Sequence, residues 1–155
     1  MKNFTLIVFI LISNVLFSQS VSVSGSWIKT ISASDITEAG KDYVGTYTSS
    51  TTQTKISIDP RRKNNTTVIS IRKDDGDWHE DLNLQIKRIN NGIKDTSGGL
   101  EFQSITDIGA DFFKTKGKKE NVPLQYRING ISVLLPVLLP VQEYTTTIIF
   151  TVYDD

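Results

Sequence analysis

Apolar and polar residues alternate with a period of two in several stretches of this chain. The clearest stretches are 82–87, 122–128 and the C-terminal run 144–153. Successive side chains of an extended strand point to opposite faces, so each stretch has one apolar face. The C-terminal run is also rich in β-branched and aromatic residues, which favour a half-buried sheet. The inward-facing residues predicted from this alternation are Leu84, Ile86, Leu124, Tyr126, Ile148 and Phe150.

Shorter strand candidates lie between these runs, and turn-forming residues separate them. The turn signals include Asp74–Asp77 and Asn91-Gly92, of a kind that permits positive φ in tight hairpins. The segment 106–117 is the least strand-like part and predicts one helical turn or a long loop. We expect an all-β domain over residues 19–155, a single antiparallel Ig-like sandwich of about seven to nine strands. The shorter strand candidates are 27–31, 43–48, 55–58, 67–72 and 100–105.

The N-terminus has the pattern of a signal peptide. Lys2 precedes an apolar run over 4–17, and small residues follow at Ser18 and Ser20. The run is interrupted by Ser13-Asn14 and is shorter than the roughly 20 residues that a spanning helix needs. We therefore predict a signal peptide at 1–18, cleaved after Ser18 or Ser20, and no membrane span afterwards. The mature protein is expected to be secreted, periplasmic or on the cell surface.

Composition narrows the chemistry that is open to the chain. It has no Cys, which excludes thiol catalysis and Cys-ligated metals, and its 17 basic and 17 acidic residues do not favour nucleic-acid binding. The single histidine, His79, has no second His at zinc-protease spacing, and no Gly-x-Ser-x-Gly motif accompanies it. We predict a non-enzymatic protein without a cofactor, with a small secreted hydrolase as an alternative.

Two ligand-binding alternatives remain open. Carboxylates around a glycine turn suit calcium, although the spacing is not that of an EF-hand and a solvated hairpin tip explains the same residues. The aromatic residues Trp27, Trp78, Tyr43 and Tyr47 form either a sugar-binding platform or part of the core. The basic run 114–119 is either a solvated loop or a polyanion contact. The calcium candidates are Asp74, Asp75, Asp77, Glu80 and Asp81.

Two segments are candidates for contact with a protein partner. The segment 131–141 is uncharged and almost wholly apolar, and Pro136 and Pro140 make it a poor helix and a poor central strand. The segment 21–27 alternates apolar and small polar residues, as a strand added to a neighbouring sheet does. In the alternative view, 21–31 is the first strand of its own sandwich and 131–141 packs inside it. The partner-binding candidates are Val21, Val23, Leu134, Leu135, Val137, Leu138 and Leu139.

Two stretches in the C-terminal half resemble a known class of proteins. The strand Val122–Ile128, the turn at Gly130 and the closing run Tyr144–Val152 are similar to the last two strands of secreted bacterial β-sandwich proteins of the fimbrial-subunit and spore-coat-U type. The chain lacks the Cys pair that is usual in fimbrial subunits. The resemblance implies a structural or adhesive surface subunit that associates with itself or with other surface proteins. A carbohydrate- or calcium-binding module is the alternative function.

Overall fold

A computed structural model of the chain describes residues 19–31, 35, 45–61, 64–89, 92–131 and 143–155. The predicted signal peptide 1–18 and the partner candidates Leu134, Leu135, Val137, Leu138 and Leu139 lie outside the described residues. The described part contains ten strands: β1 (Ser20–Ser24), β2 (Thr46–Thr48), β3 (Thr54–Asp59), β4 (Thr66–Asp77), β5 (Asn83–Arg88), β6 (Thr96–Gly98), β7 (Gln103–Ser104), β8 (Ala110–Lys116), β9 (Lys119–Asn129) and β10 (Thr145–Asp154).

The strands form two antiparallel sheets, which confirms the predicted all-β sandwich. The six-stranded sheet has the order β1-β3-β9-β5-β7, and β2 also pairs with β9. The four-stranded sheet has the order β10-β4-β8-β6. The chain crosses between the sheets after β8, where Gly117 has a φ of 67°. The N-terminal strand β1 and the C-terminal strand β10 are each an edge of their sheet, and they contact one another.

Strands β2 and β3 run along the same partner, β9, with a short break between them. Thr46–Thr48 pairs with the C-terminal end of β9, and Thr54 pairs with Leu124 further along it. Ser49 lies in the break and is buried. Its backbone N–H donates to the Tyr126 carbonyl at 2.9 Å, and its Oγ accepts from the Tyr126 N–H at 2.8 Å. The break therefore leaves the backbone of β9 hydrogen-bonded.

The core lies between the inward faces of the two sheets. Leu84, Ile86, Leu124 and Tyr126 are buried, as the alternation predicts. Phe150 packs against the core but is only partly buried, and Ile148 behaves in the same way. In the described part of the chain, their strand, β10, has β4 as its single neighbour, so no second described strand covers these side chains. The buried core residues are Ile56, Ile58, Ile69, Ile71, Leu84, Ile86, Ile105, Phe112, Phe113, Val122, Leu124 and Tyr126.

Among the buried residues that the structure describes, Arg88 is the charged one. Its Nε donates to the Gly98 carbonyl at 2.8 Å, and Nη2 donates to the Thr96 carbonyl at 3.4 Å. The guanidinium also lies 5.9 Å from the centre of the Phe113 ring. Burial lowers the pKa of Arg88 below its ordinary value. Because Arg88 is on β5 and its acceptors are on β6, this side chain connects the two sheets.

Several local predictions are wrong for physical reasons. The predicted turn Asp74–Asp77 lies inside β4, where a β-bulge at Gly76 accommodates the glycine within the strand. The segment 106–117 contains strand β8 rather than a helical turn or a long loop. A bulge opposite Ile69 buries Phe112 and Phe113 together, and this breaks the alternation that identifies a strand. The candidate 27–31 is not a strand. Within the candidate 100–105, only Gln103–Ser104 (β7) forms a strand.

Candidate interaction surfaces

The first surface is the edge formed by β1 and β3. Of the ten described strands, β3 alone pairs with β1, with Val21 opposite Ile58 and Val23 opposite Ile56. Val21 packs against the core while partly exposed, and Val23 is 44% exposed. Both partner candidates therefore lie on a strand that pairs within its own chain. Exchange between two copies would use the same pairing, formed between chains instead of within one.

A glycine and an anchored tryptophan follow β1. Gly25 has a φ of +96°, and a Cβ at this position would lie 2.7 Å from the Gln53 carbonyl oxygen. Two residues later, the ring of Trp27 stacks on Tyr126 at 6.2 Å between centroids, with 16° between the ring planes. Gln53 Nε2 donates to the Ser26 carbonyl at 2.7 Å. The chain is thus anchored just after Gly25, which places a conformationally permissive residue between β1 and its anchor.

The second surface is a two-stranded ribbon that carries the acidic residues. Strand β8 pairs with β4 only from Thr66 to Ile71, so beyond that point β4 has β10 as its partner. Asp75 forms an ion pair with Lys73 and accepts a 2.9 Å hydrogen bond from Thr146 Oγ1. Asp74 precedes it in the same strand and so points to the opposite face.

The calcium candidates do not converge on a common point. Asp74, Asp75 and Asp77 are spread along β4, whereas Glu80 and Asp81 follow it in a turn. In the part of the chain that the structure describes, no group of three or more acidic, His or Cys side chains is arranged to hold a metal ion. The predicted calcium alternative therefore gains no geometric support from these five residues.

An open cleft lies beside the ribbon. It is lined by Trp78, Ile105 and Leu82, together with the charged residues Lys73, Asp75, Glu80 and Asp107. Trp78 Nε1 donates to the Leu82 carbonyl at 2.8 Å, which fixes the indole against the base of the turn. Trp78 and Trp27 have separate partners, because Trp27 stacks on Tyr126. The predicted aromatic platform is therefore not assembled from these two residues, and Tyr43 lies outside the described residues.

His79 lies in the turn after β4. Its Nδ1 accepts a 3.3 Å hydrogen bond from the Asp81 N–H, and its ring meets Tyr144 edge-on at 5.9 Å between centroids. The Asp81 carboxylate lies 3.7 Å from the same nitrogen. These contacts give the histidine a structural place in the turn, and that it is not catalytic stays a prediction.

The basic run is divided between two strands rather than forming a loop. Lys114 and Lys116 are on β8, and Lys119 begins β9. Lys114 Nζ lies 2.7 Å from Asp155, and Lys118 Nζ lies 2.6 Å from Glu120. The hydrogen bond that Lys118 donates to the Glu120 carboxylate raises the pKa of Lys118 and lowers the pKa of Glu120. Two of the predicted polyanion contacts thus have carboxylate partners in their own chain.

The third surface was missed by the sequence analysis. On the outward face of the six-stranded sheet, two cations lie beside the ring of Phe102. Arg127 lies 4.1 Å from the ring centroid and Lys87 Nζ lies 4.7 Å from it. The alternation in β5 and β9 already placed both cations on the outward face. Phe102 comes from a different part of the chain, and no sequence spacing brings it between them.

Comparisons of this chain with protein families, with curated proteins and with solved structures give no significant match. The similarity to fimbrial-subunit and spore-coat-U proteins therefore stays a prediction from the residues quoted above. Across the described ranges, none of the helical residues belongs to a helix long and apolar enough to cross a membrane.

Proposed function

We propose that this protein is an exported, non-enzymatic surface subunit that assembles by strand exchange, with β1 of one copy pairing with β3 of the next. The observation that carries the proposal is the weak attachment of β1. Among the strands that the structure describes, it is paired on one side only, and four of its five residues are exposed. The export expectation rests on the N-terminal pattern of Lys2 followed by an apolar run.

The acceptor in this exchange is the outer edge of β3. Ile56 and Ile58 alternate along β3 and are fully buried, at 0% exposure. When β1 leaves, the edge of β3 presents unpaired backbone groups, which are a template for another strand. An incoming β1 restores the backbone hydrogen bonds and places its two valines at the same positions. Exchange therefore conserves the contacts that β1 makes, so its net cost in free energy is small.

The donor is suited to exchange by its position. It begins two residues after the predicted signal peptide, so no upstream segment of the mature chain needs to be threaded. It ends at Ser24, just before Gly25, whose backbone is free to adopt the new direction that an outgoing strand requires. The anchored Trp27 holds the remainder of the segment on its own copy.

The test compares the chain beginning at Gln19 with a variant that lacks residues 19–25, by sedimentation over a range of concentrations. The longer chain should form concentration-dependent oligomers. The deletion variant should remain folded as a monomer and should bind a peptide of residues 19–26. The proposal is wrong if the longer chain is monomeric at every concentration and the amides of residues 21–24 are as protected from hydrogen exchange as those of β10.

A further inference from the structure

The outward face of the six-stranded sheet carries a field of polar side chains across β5 and β9. The two strands pair directly, with Asn83 opposite Asn129, Gln85 opposite Arg127 and Lys87 opposite Gln125. All six side chains share one face, because each position is two residues from the next. The field contains two cations and four amides, and none of its members is acidic.

The two cations of this field lie close together, and no carboxylate of the described residues pairs with either of them. Lys87 and Arg127 occupy diagonal positions on neighbouring strands, where like charges repel one another. Within the described ranges, neither forms an ion pair with Asp or Glu. Both are held beside the Phe102 ring, at 4.7 Å and 4.1 Å from its centroid. Cation–π attraction stabilises this arrangement without neutralising either charge.

A hydrogen-bond network orients the amides around the cations. Gln85 Oε1 accepts from Arg127 Nε at 2.8 Å and from Asn129 Nδ2 at 3.2 Å. Thr46 Oγ1 donates to Asn129 Oδ1 at 2.9 Å, and Gln85 Nε2 donates to Ser104 Oγ at 3.3 Å. The network therefore spans four neighbouring strands, from β7 through β5 and β9 to β2. Side chains fixed in this way lose less conformational freedom when a ligand binds.

We propose that this face binds an acidic polysaccharide, with an anionic group of the sugar held by Lys87 and Arg127 beside Phe102. A guanidinium matches the paired oxygens of a carboxylate or sulfate. Amide side chains both donate and accept, as adjacent sugar hydroxyls require. The polar positions of the field lie on neighbouring strands about 4.8 Å apart, close to the length of one hexose unit, so successive sugar units match successive strands. An extended chain of sugars therefore fits the face better than a compact ligand does.

This inference does not depend on strand exchange. The cations lie on β5 and β9, whereas β1 is separated from β9 by β3. Loss of sugar binding would leave exchange intact, and a strictly monomeric protein can still bind the polysaccharide. The two proposals therefore fail separately.

The binding test is calorimetric titration of the chain beginning at Gln19 with two pairs of sugars. Oligogalacturonate is compared with its methyl ester, and dextran sulfate with dextran, which distinguishes a carboxylate ligand from a sulfate ligand. At least one acidic sugar should bind, and its neutral counterpart should bind about tenfold more weakly or worse, since a charge-assisted contact is lost. Raising the salt concentration should weaken the binding. The absence of binding by both acidic sugars would overturn the proposal.

Matched variants test the place of binding. Lys87→Gln with Arg127→Gln removes two charges from the face, and Lys94→Gln with Lys116→Gln removes two exposed charges elsewhere. The first pair should weaken binding by about tenfold or more, and the second by less than about twofold. Phe102→Leu keeps every charge and should still weaken binding, because the cations lose their ring. Circular dichroism checks that each variant is folded. If the double variant Lys87→Gln with Arg127→Gln unfolds, the two single variants Lys87→Gln and Phe102→Leu replace it. Equal weakening by the two pairs would contradict a specific site.

Discussion

The first and last strands of this sandwich are both edge strands, and they differ in how firmly they are attached. Strand β10 pairs with β4 along its full length from Thr145 to Asp154, and three of its side chains pack against the core. Strand β1 is half as long, and of its side chains only Val21 packs against the core. An edge position alone therefore does not determine how firmly a strand is attached. The apolar area that the strand buries determines how firmly it is attached.

The ends of the two strands show the same difference. After β10, the Asp155 N–H donates to the Thr66 carbonyl at 3.0 Å, and the Asp155 carboxylate receives Lys114 at 2.7 Å. Tyr153 also donates a hydrogen bond to Asp111. Beyond its backbone pairing, β1 has the hydrogen bond from Ser24 Oγ to the Lys55 carbonyl, at 3.5 Å. The C-terminal strand is thus fixed to both β4 and β8, whereas the N-terminal strand depends on β3.

The largest expected effect is on β10. Phe150→Ala should lower the free energy of unfolding by about 2–3 kcal/mol, below the range for a fully buried phenylalanine because Phe150 is partly exposed. Its exposed neighbour Thr151 provides the control, and Thr151→Ala should change stability by less than about 0.5 kcal/mol. Urea denaturation measures both. Similar losses from the two variants would mean that the register of β10 is wrong by one residue.

The next effect concerns the glycine between β1 and its anchor. Gly25→Ala should cost about 1–2 kcal/mol of β1 docking, because the new Cβ meets the Gln53 carbonyl and φ is positive. Gly92 has a similar φ of +80°, but a new Cβ there has no atom within 4 Å. Gly92→Ala therefore measures the cost of the positive φ alone, without the steric clash. Because β1 then docks less firmly on β3 of its own copy, Gly25→Ala should raise the oligomeric fraction. Gly92→Ala should leave the oligomeric fraction unchanged. If Gly25→Ala sediments in the same way as the unsubstituted chain, Gly25 does not control how firmly β1 docks on β3.

A smaller effect concerns Tyr126, on which the anchored Trp27 stacks. The Tyr126 hydroxyl lies 2.7 Å from Thr54 Oγ1, so Tyr126→Phe should cost about 1 kcal/mol at neutral pH. Burial raises the pKa of Tyr126, with the Thr54 hydrogen bond opposing this. The unfolded chain then loses the phenol proton first, so wild-type stability is retained below about pH 10 and falls as the pH rises further. Urea titrations at increasing pH should show a shallower decline for Tyr126→Phe. Identical declines would mean that this phenol does not titrate differently on folding.

The smallest effect is expected on β1. Val21→Ala should lower global stability by about 0.5 kcal/mol, and Val152→Ala on β10 by about 1 kcal/mol, although both valines are partly buried. The cost on β1 is limited because the strand can undock locally before the domain unfolds. For each variant, native-state hydrogen exchange measures the free energy of global unfolding and the free energy of local strand undocking. A larger loss from Val21→Ala would place β1 inside the cooperative unit of the domain.

The sequence predicts the strands whose alternation is unbroken. Leu84 and Ile86 on β5, and Leu124 and Tyr126 on β9, are buried as the period of two requires. The prediction from alternation fails at bulges, where Phe112 and Phe113 are both buried. It also fails where turn-type residues continue a strand, as Gly76 does in β4. These failures share a cause, because the partner strand and not the local sequence determines where the extra residue is accommodated.

The candidate surfaces divide in the same way. The alternation in 21–27 is visible in the sequence, and it marks the segment that becomes β1. The cations beside Phe102 could not be predicted, since they come from β5, β9 and the segment before β7. Sequence alternation assigns a residue to a face, but only the strand order brings distant residues on that face into contact.

The central claim, that β1 exchanges between copies, is tested most directly by disulfide cross-linking. The chain has no Cys, and Ser22 lies opposite Ser57 in the β1–β3 register. Two single variants, Ser22→Cys and Ser57→Cys, are mixed at high concentration and oxidised, and the double variant confirms that the pair can close. Gln125→Cys on β9 replaces Ser57→Cys as the control. The account predicts a disulfide-linked dimer of the two single variants and none with the control. A disulfide that closes within the double variant but never between the mixed single variants would contradict it.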